Sequence, residues 1–376
     1  MALDAMFHAE NWPPAASPFW VAVFFTLGCC VGSFLNVCIH RMPRGMSIVT
    51  PPSHCPHCRY SIPWYLNIPL VTWLALRGRC RNCGAPISPR YFVVELLTGA
   101  VFLGCWLRFG EASPALAVVF CVFLAGLIAA TFIDFEHFII PDEITVGGLL
   151  AGFAASVAVP SLQGAPSLTG GMVRSLLGAG AGAGIVYAIL RLGKWLFGRQ
   201  RLKWTPGTRF VFTETALHLP DRDVPYEELF YRKTDAVVVK ASRVELIDRS
   251  YFDAVVRLSP ASLRIEQEQF EAEEFDPETV PHMEVTGGDI VLPREAMGLG
   301  DVKFMAAIGA FVGWEGVVFS LAVSSMIGAV VGVALIALGR REWSSRMPYG
   351  PYIALAAAIW IFAGKRIVAR LFLLPD

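Results

Sequence analysis

The chain has 376 residues, 55% of them hydrophobic and only 16% charged, with a mean hydropathy of +0.54. Soluble globular domains run to roughly 45–50% apolar and 25% charged residues, so the composition excludes an ordinary soluble domain and points to a polytopic membrane protein. The formal net charge is zero, which gives no reason to expect a nucleic-acid partner.

The N-terminus carries Asp4 and Glu10 and has no Lys or Arg before Arg41. It lacks the basic region of a secretory signal, so the first apolar run, 18–39, is expected to stay as a membrane span. Further apolar runs follow at 91–108, 115–133, 143–159, 173–197, 302–314, 316–338 and 350–372. The fold class expected is an α-helical polytopic membrane protein of about eight transmembrane helices, with a small cytoplasmic zinc-binding segment and a β-rich cytoplasmic insert. Its division reads 1–39 (N-terminus and first helix), 40–90 (cysteine segment), 91–197 (helices two to five), 198–297 (insert) and 298–376 (the last three helices). The run 302–314 is the weakest, because Glu315 interrupts it.

The segment 40–90 holds seven arginines, Arg41, Arg44, Arg59, Arg77, Arg79, Arg81 and Arg90, and no Asp or Glu. Positive charge is retained in the cytoplasm, so this segment is expected inside. Counting spans from it puts 134–142, 198–297 and 339–349 on the same side. The basic clusters Arg191–Lys203 and Arg340–Arg346 agree; Lys365, Arg366 and Arg370 do not, unless the last span ends early.

Four of the nine cysteines stand in "HCPHC" and "RCRNCG": Cys55, Cys58, Cys80 and Cys83. The pattern is two C-x2-C pairs with 21 residues between them. Four thiolates complete a closed tetrahedral site that suits structural zinc. A reducing cytosol disfavours disulfides, and an Arg- and Pro-rich segment with little core would draw folding free energy from the metal. Redox thiols or a lost site are the alternatives, and His54 and His57 stand near enough to replace a ligand. Cys29, Cys30, Cys38, Cys105 and Cys121 lie in or beside spans and read as small apolar packing residues.

The span 115–133 runs into "FIDFEHFIIPDEIT". Asp134 follows the apolar run, and Asp142 opens the next one after Pro141. Glu136 and His137 read as interfacial polar residues. In "GAGAGAG", 178–184, close packing of helices through small residues explains the glycines better than a phosphate loop does. The insert 198–297 holds 19 of the 31 acids and 13 of the 31 bases. Its stretches RFVFTETALHL, DAVVVKASRVELI, FDAVVRL and SLRIEQEQF alternate with period two, which predicts a small β module without a chemical motif.

The insert ends at "GLGDVKF", where Asp301 sits between Gly300 and an apolar run. Asp134 and Asp301 are expected at one cytoplasmic face on different helices. Two carboxylates sharing a site cannot easily both ionise, so one can hold a proton while the other activates water. The competing reading makes Asp301 a helix N-cap, a role that Asp142 suits even better. Lys303 is expected to reach out to the interface.

"GCCVGSFLNVCIHRMPRGMSIVTPPSHCPHC" and "LNIPLVTWLALRGRCRNCGAPISPRYFVVELLTG" resemble the opening of the bacterial prepilin leader peptidases. "FIDFEHFIIPDEIT", "EAMGLGDVKFMAAIGAFVGW" and "MPYGPYIALAAA" resemble that family's two aspartate regions and closing helix. The resemblance covers about 20–152 and 295–360, in order. It implies a membrane aspartic endopeptidase of the bacterial inner membrane, in contact with lipid, with the GxGD signature and Asp134 and Asp301 as the catalytic pair. It implies prepilin or pseudopilin substrates of type IV pilus or type II secretion systems, cut after a glycine on the cytoplasmic side. It also implies N-methylation with S-adenosylmethionine, a cofactor to which no residue is assigned. Family members usually have a shorter loop where 198–297 stands. Two other readings are an ion-coupled transporter, which would show repeat symmetry that the halves lack, and a non-catalytic zinc-bearing scaffold.

Overall fold

The computed structural model describes residues 14–197, 199–230, 235–267, 270–293, 298–339 and 347–371. Asp4, Glu10 and the cluster Arg340–Arg346 lie outside the described residues. The chain divides into two compact units, one comprising the residues up to Val186 and from Leu299 onward, the other Tyr187–Gly298.

The first unit is helical. Helix α1 is Pro18–Arg41, α2 Pro89–Phe109, α3 Pro114–His137, α4 Asp142–Ala158, α5 Leu168–Phe197 and α6 Leu299–Ala337. Helix α7, Gly350–Ile359, runs through a π-helical turn, Trp360–Gly364, into α8, Lys365–Leu371. Local chemistry sets several starts. Pro89 and Pro114 occupy first-turn positions where no N–H is missed, and the Ser88 and Ser113 hydroxyls accept from Arg90 N–H and Leu116 N–H at 3.3 Å.

Among the described residues, six helices are long and apolar enough to cross a membrane. Two of the eight expected spans are not separate members of that set. The run 143–159 is the 17-residue α4, and 302–314 is the first arm of α6. A straight 39-residue helix would be about 60 Å long, twice the roughly 30 Å of a bilayer's hydrocarbon. The rod is broken at Gly313, with φ 71° and ψ 177°, not at Glu315 as the sequence suggested. The left-handed φ explains the glycine. The break takes the Ala310 carbonyl out of the regular ladder, and three side-chain donors meet it: Ser156 Oγ at 3.0 Å, Gln163 Nε2 at 2.7 Å and Ser175 Oγ at 3.0 Å. In hydrocarbon such a carbonyl must find partners inside the protein.

Small residues let the helices approach closely. A Cβ on Gly178 would lie 2.1 Å from the Gly309 carbonyl oxygen, and one on Gly182 2.3 Å from that of Met305, whereas Gly180 and Gly184 face open space. Every second glycine of the run, one helical turn apart, therefore forms a packing face, as expected. Gly28 and Gly32 of α1 do the same against Thr98, Gly99 and Glu95 of α2, and Phe24 stacks on Trp106 with centroids 4.2 Å apart.

The second unit is an eight-stranded sheet. Its strands are β1 Arg199–Thr213, β2 Ala216–His218, β3 Asp223–Pro225, β4 Val237–Glu245, β5 Ser250–Leu258, β6 Leu263–Gln267, β7 Phe270–Phe275 and β8 His282–Pro293. The order is β3-β2-β1-β8-β4-β5-β6-β7, and each pairing is antiparallel. Five strands, β1, β2, β4, β5 and β6, fall on the alternating stretches. The central strand β8 was not anticipated, because Gly287 and Gly288 interrupt its alternation. A Cβ on Gly287 would lie 2.4 Å from the Lys240 carbonyl oxygen. Phe210, Val239, Val256, Val285 and Ile290 are wholly buried and form the module's own core.

Candidate active site

Four helix ends gather around the linker Phe138–Pro141: the end of α3 and the starts of α4, α6 and α7. Helix α3 closes in a left-handed Phe138, φ 56°, whose N–H returns to the Asp134 carbonyl at 3.0 Å. Asp134, in that last turn, is 6% exposed. Its Oδ2 accepts the Gly350 N–H at 2.9 Å. Gly350 opens α7, so this N–H is one of the donors an α-helix leaves unpaired at its start, and the helix dipole favours a negative group there. Only glycine fits: a Cβ at 350 would lie 2.7 Å from Oδ2 and 3.1 Å from Ile140 Cδ1.

Asp301 stands in the first turn of α6, half-buried. The glycine before it is again beside Ile140, since a Cβ on Gly300 would lie 3.9 Å from the Ile140 Cβ. Ile140 thus lies where a side chain on either Gly350 or Gly300 would meet it. Lys303 donates to both carboxylate oxygens of Asp142 at 2.7 and 2.9 Å, tying the first turn of α6 to the first turn of α4. Lys303 is therefore an ion-pair partner as well as an exposed residue, and Asp142 is a first-turn acid whose helix is capped by Pro141. Glu136 pairs with Arg90.

A buried carboxylate held by one backbone N–H and a second acid in the first turn of another helix are the two kinds of group that could supply a base and a proton-bearing partner. Sequence reasoning missed Gly350 and Ile140. Gly350 was available in "MPYGPY" as a glycine just ahead of a proline at a helix start.

The four cysteines form one cluster, with their Sγ atoms all within 4.8 Å of one another. Cys55 and Cys83 are 3.9 Å apart and Cys58 and Cys80 4.0 Å. That is about twice a disulfide length and near the roughly 3.8 Å edge of a tetrahedron with metal–sulfur bonds of about 2.3 Å. The donor set fits a tetrahedral metal ion. Two equivalent knuckles build it: Cys55 N–H bonds the Tyr60 carbonyl at 3.0 Å, and Cys80 N–H bonds the Ala85 carbonyl at 2.8 Å. Arg59 and Gly84, each just after the second cysteine of its pair, both have positive φ. Asn82 Nδ2 donates to Cys58 Sγ at 3.5 Å. That contact and the Tyr60 N–H push the Cys58 thiol down to about 6. His54 Nδ1 lies 3.0 Å from the Pro52 carbonyl, which turns that nitrogen away from the cluster.

The cysteine segment is tied to the helices. Buried Arg41 donates to the Ser47 and Pro51 carbonyls at 3.0 and 2.6 Å, and Glu95 accepts the Leu70 N–H at 2.8 Å. Between the segment and the α1–α2 pair lies a cavity of about 740 Å³ lined by Asn36, Arg41, Tyr60, Trp73 and Glu95, among others.

The Bacterial Peptidase A24 N-terminal domain matches residues 26–109, and the Type IV leader peptidase family matches 121–202 and 283–333. A Prepilin leader peptidase/N-methyltransferase of Aeromonas hydrophila is 27% identical over 372 residues, 93% of this chain and 92% of that protein. The chain belongs to the type IV leader peptidase family. A Prepilin leader peptidase/N-methyltransferase of Myxococcus xanthus (strain DK1622) is 51% identical over 148 residues, 39% of this chain and 43% of that relative. A Type 4 prepilin-like proteins leader peptide-processing enzyme of Escherichia coli O78:H11 is 43% identical over 166 residues, 39% of this chain and 60% of that relative. No solved structure matches. The leader-peptidase match resumes at 283, so it passes over most of the sheet module and takes in β8 with α6.

Proposed function

We propose that this leader peptidase cleaves prepilins or pseudopilins with Asp134 and Asp301 as its catalytic pair, at the cytoplasmic face of the inner membrane. The observation that supports the pair best is the Gly350 N–H on Asp134 Oδ2, with Ile140 near both Gly350 and Gly300. One carboxylate takes a proton from water as it attacks the scissile carbonyl. The other donates its proton to the carbonyl oxygen; as the tetrahedral intermediate collapses, the first gives the proton it took from water to the leaving amine and the second takes a proton back from the intermediate's hydroxyl. Cytoplasmic orientation rests on the arginines of 40–90. Helix α4 and both arms of α6 are read as crossing the membrane, which gives eight spans and lays out the chain as 1–39, 40–90, 91–197, 198–297 and 298–376. The transporter and scaffold readings account for none of the matched regions.

The four cysteines would hold zinc as a closed structural site with no position open for water, keeping the cysteine segment folded over the α1–α2 cavity. That cavity is within the size range of small-molecule sites, and we read it as the place where the new N-terminus is methylated. When bound, S-adenosylmethionine supplies an electrophilic methyl group. Mass spectrometry of a prepilin co-expressed with the enzyme tests both activities. The expected product has lost its leader at a glycine and gained 14 Da at its new N-terminus, one methylene by composition. An unprocessed prepilin contradicts the peptidase assignment.

A further inference from the structure

The α1–α2 wall of the cavity carries a mismatch in hydrogen bonding. Asn36 is wholly buried. Its Nδ2 donates to the Tyr91 carbonyl at 3.1 Å and to the Gly32 carbonyl at 3.3 Å, and these two acceptors fix which way the amide points. Its Oδ1 then faces away from both and has no partner. A buried, unpaired acceptor costs about 1–3 kcal/mol, so it calls for an explanation. One helical turn along the same contact, Gly32 packs against the Cα of Glu95. Glu95 is 7% exposed. Its carboxylate accepts from Leu70 N–H and has the Ser33 hydroxyl beside it, which leaves part of its capacity of about four acceptor sites unused. Both residues line the cavity. An acid inside an apolar helix is a functional candidate by its cost alone.

We propose that Asn36 Oδ1 and the Glu95 carboxylate form a receptor for a primary aliphatic ammonium group within the cavity. Both groups only accept hydrogen bonds, so their complement must carry several N–H donors and positive charge. His40, Arg41 and Arg81 also line the cavity. Arg41 is committed to the Ser47 and Pro51 carbonyls, and His40 Nδ1 lies 3.2 Å from the Arg44 guanidinium. This inference deepens the methyl-transfer reading and rests on it. The processed substrate offers such an ammonium at its new N-terminus. In the step, Glu95 takes one proton from that ammonium and frees its lone pair. The lone pair forms a nitrogen–carbon bond to the methyl group as the carbon–sulfur bond breaks, its electron pair staying on sulfur. The sulfonium charge is thereby neutralised, and the nitrogen becomes a secondary ammonium. Glu95 returns its proton to water. The donor's own amino-acid end carries the same ammonium chemistry, so the test separates the two sources.

Binding is measured on the full-length protein in nanodiscs with two probe pairs. The first is a mature-pilin N-terminal peptide with a free or an acetylated terminus. The second is S-adenosylhomocysteine against 5′-methylthioadenosine, which lacks the amino-acid end. A free-terminus preference of about tenfold or more, about 1.4 kcal/mol, that collapses in Glu95→Gln and Asn36→Leu assigns the site to the substrate amine. The same collapse confined to the second pair keeps the ammonium receptor and gives it to the donor. No amine preference in either pair, or one that survives both substitutions, overturns the proposal. Metal content checks that each variant is folded; if Glu95→Gln fails that check, Asn36→Leu, which removes no charge, decides. Prepilin cleavage by the unsubstituted enzyme is scored separately, so a failed peptidase reading and a failed ammonium site give different results.

Discussion

At Gly350 a missing side chain matters more than any present one. Its N–H reaches Asp134 because no Cβ intervenes. Gly350→Ala must therefore displace the carboxylate or the start of α7. Displacement by about an ångström costs on the order of a hundredfold in rate, so kcat is expected to fall by that order with melting temperature little changed. Asp142 makes the contrasting prediction. It is paired with Lys303 and well exposed, and such pairs contribute at most about 1 kcal/mol. Asp142→Asn should cleave a prepilin peptide at close to the native rate. The acids and cysteines were legible as residue types in a spacing. The Gly350 contact was not, because it joins positions 216 residues apart. Asn36 and Glu95 were legible only as lone polar residues in apolar runs, and nothing in the sequence says that both line one cavity.

At the scale of elements, the break in α6 ties local sequence to packing. Gly313 releases the Ala310 carbonyl, and Ser156, Gln163 and Ser175 take it up. Gln163→Leu removes the shortest of these bonds while Ser156 and Ser175 still serve the carbonyl, a loss of about 0.5–1.5 kcal/mol. Thermal unfolding in detergent should show that loss, and an unchanged midpoint would contradict the role given to Gln163. Hydropathy found the helices well because membrane spans are uniformly apolar. For the same reason it misplaced the break: a charged residue, Glu315, drew attention from the glycine two positions earlier. In the sheet, alternation found β1, β2, β4, β5 and β6, while β8 escaped because its paired glycines serve close backbone approach, Gly287 to β4 and Gly288 to β1. The cysteine knuckles were the clearest of all, since metal geometry is written into C-x2-C. Chelation of the metal, or Cys58→Ser, should abolish metal binding and expose 40–90 to protease while α3–α7 stay protected; full protection without metal would show that the segment folds unaided.

For the whole molecule, the insert has its own buried core and its own hydrogen-bonded sheet, and the leader-peptidase match passes over most of it. Deletion of 205–290 is therefore expected to leave a folded helical unit that still cleaves its substrate. Loss of cleavage with the helical unit intact would make the module part of the peptidase. Catalysis by Asp134 and Asp301 acting as a pair is tested by single-turnover cleavage of a purified prepilin in nanodiscs. Asp134→Asn and Asp301→Asn are each expected to remove cleavage while metal content and melting temperature stay native. Native-like cleavage by either variant would contradict it.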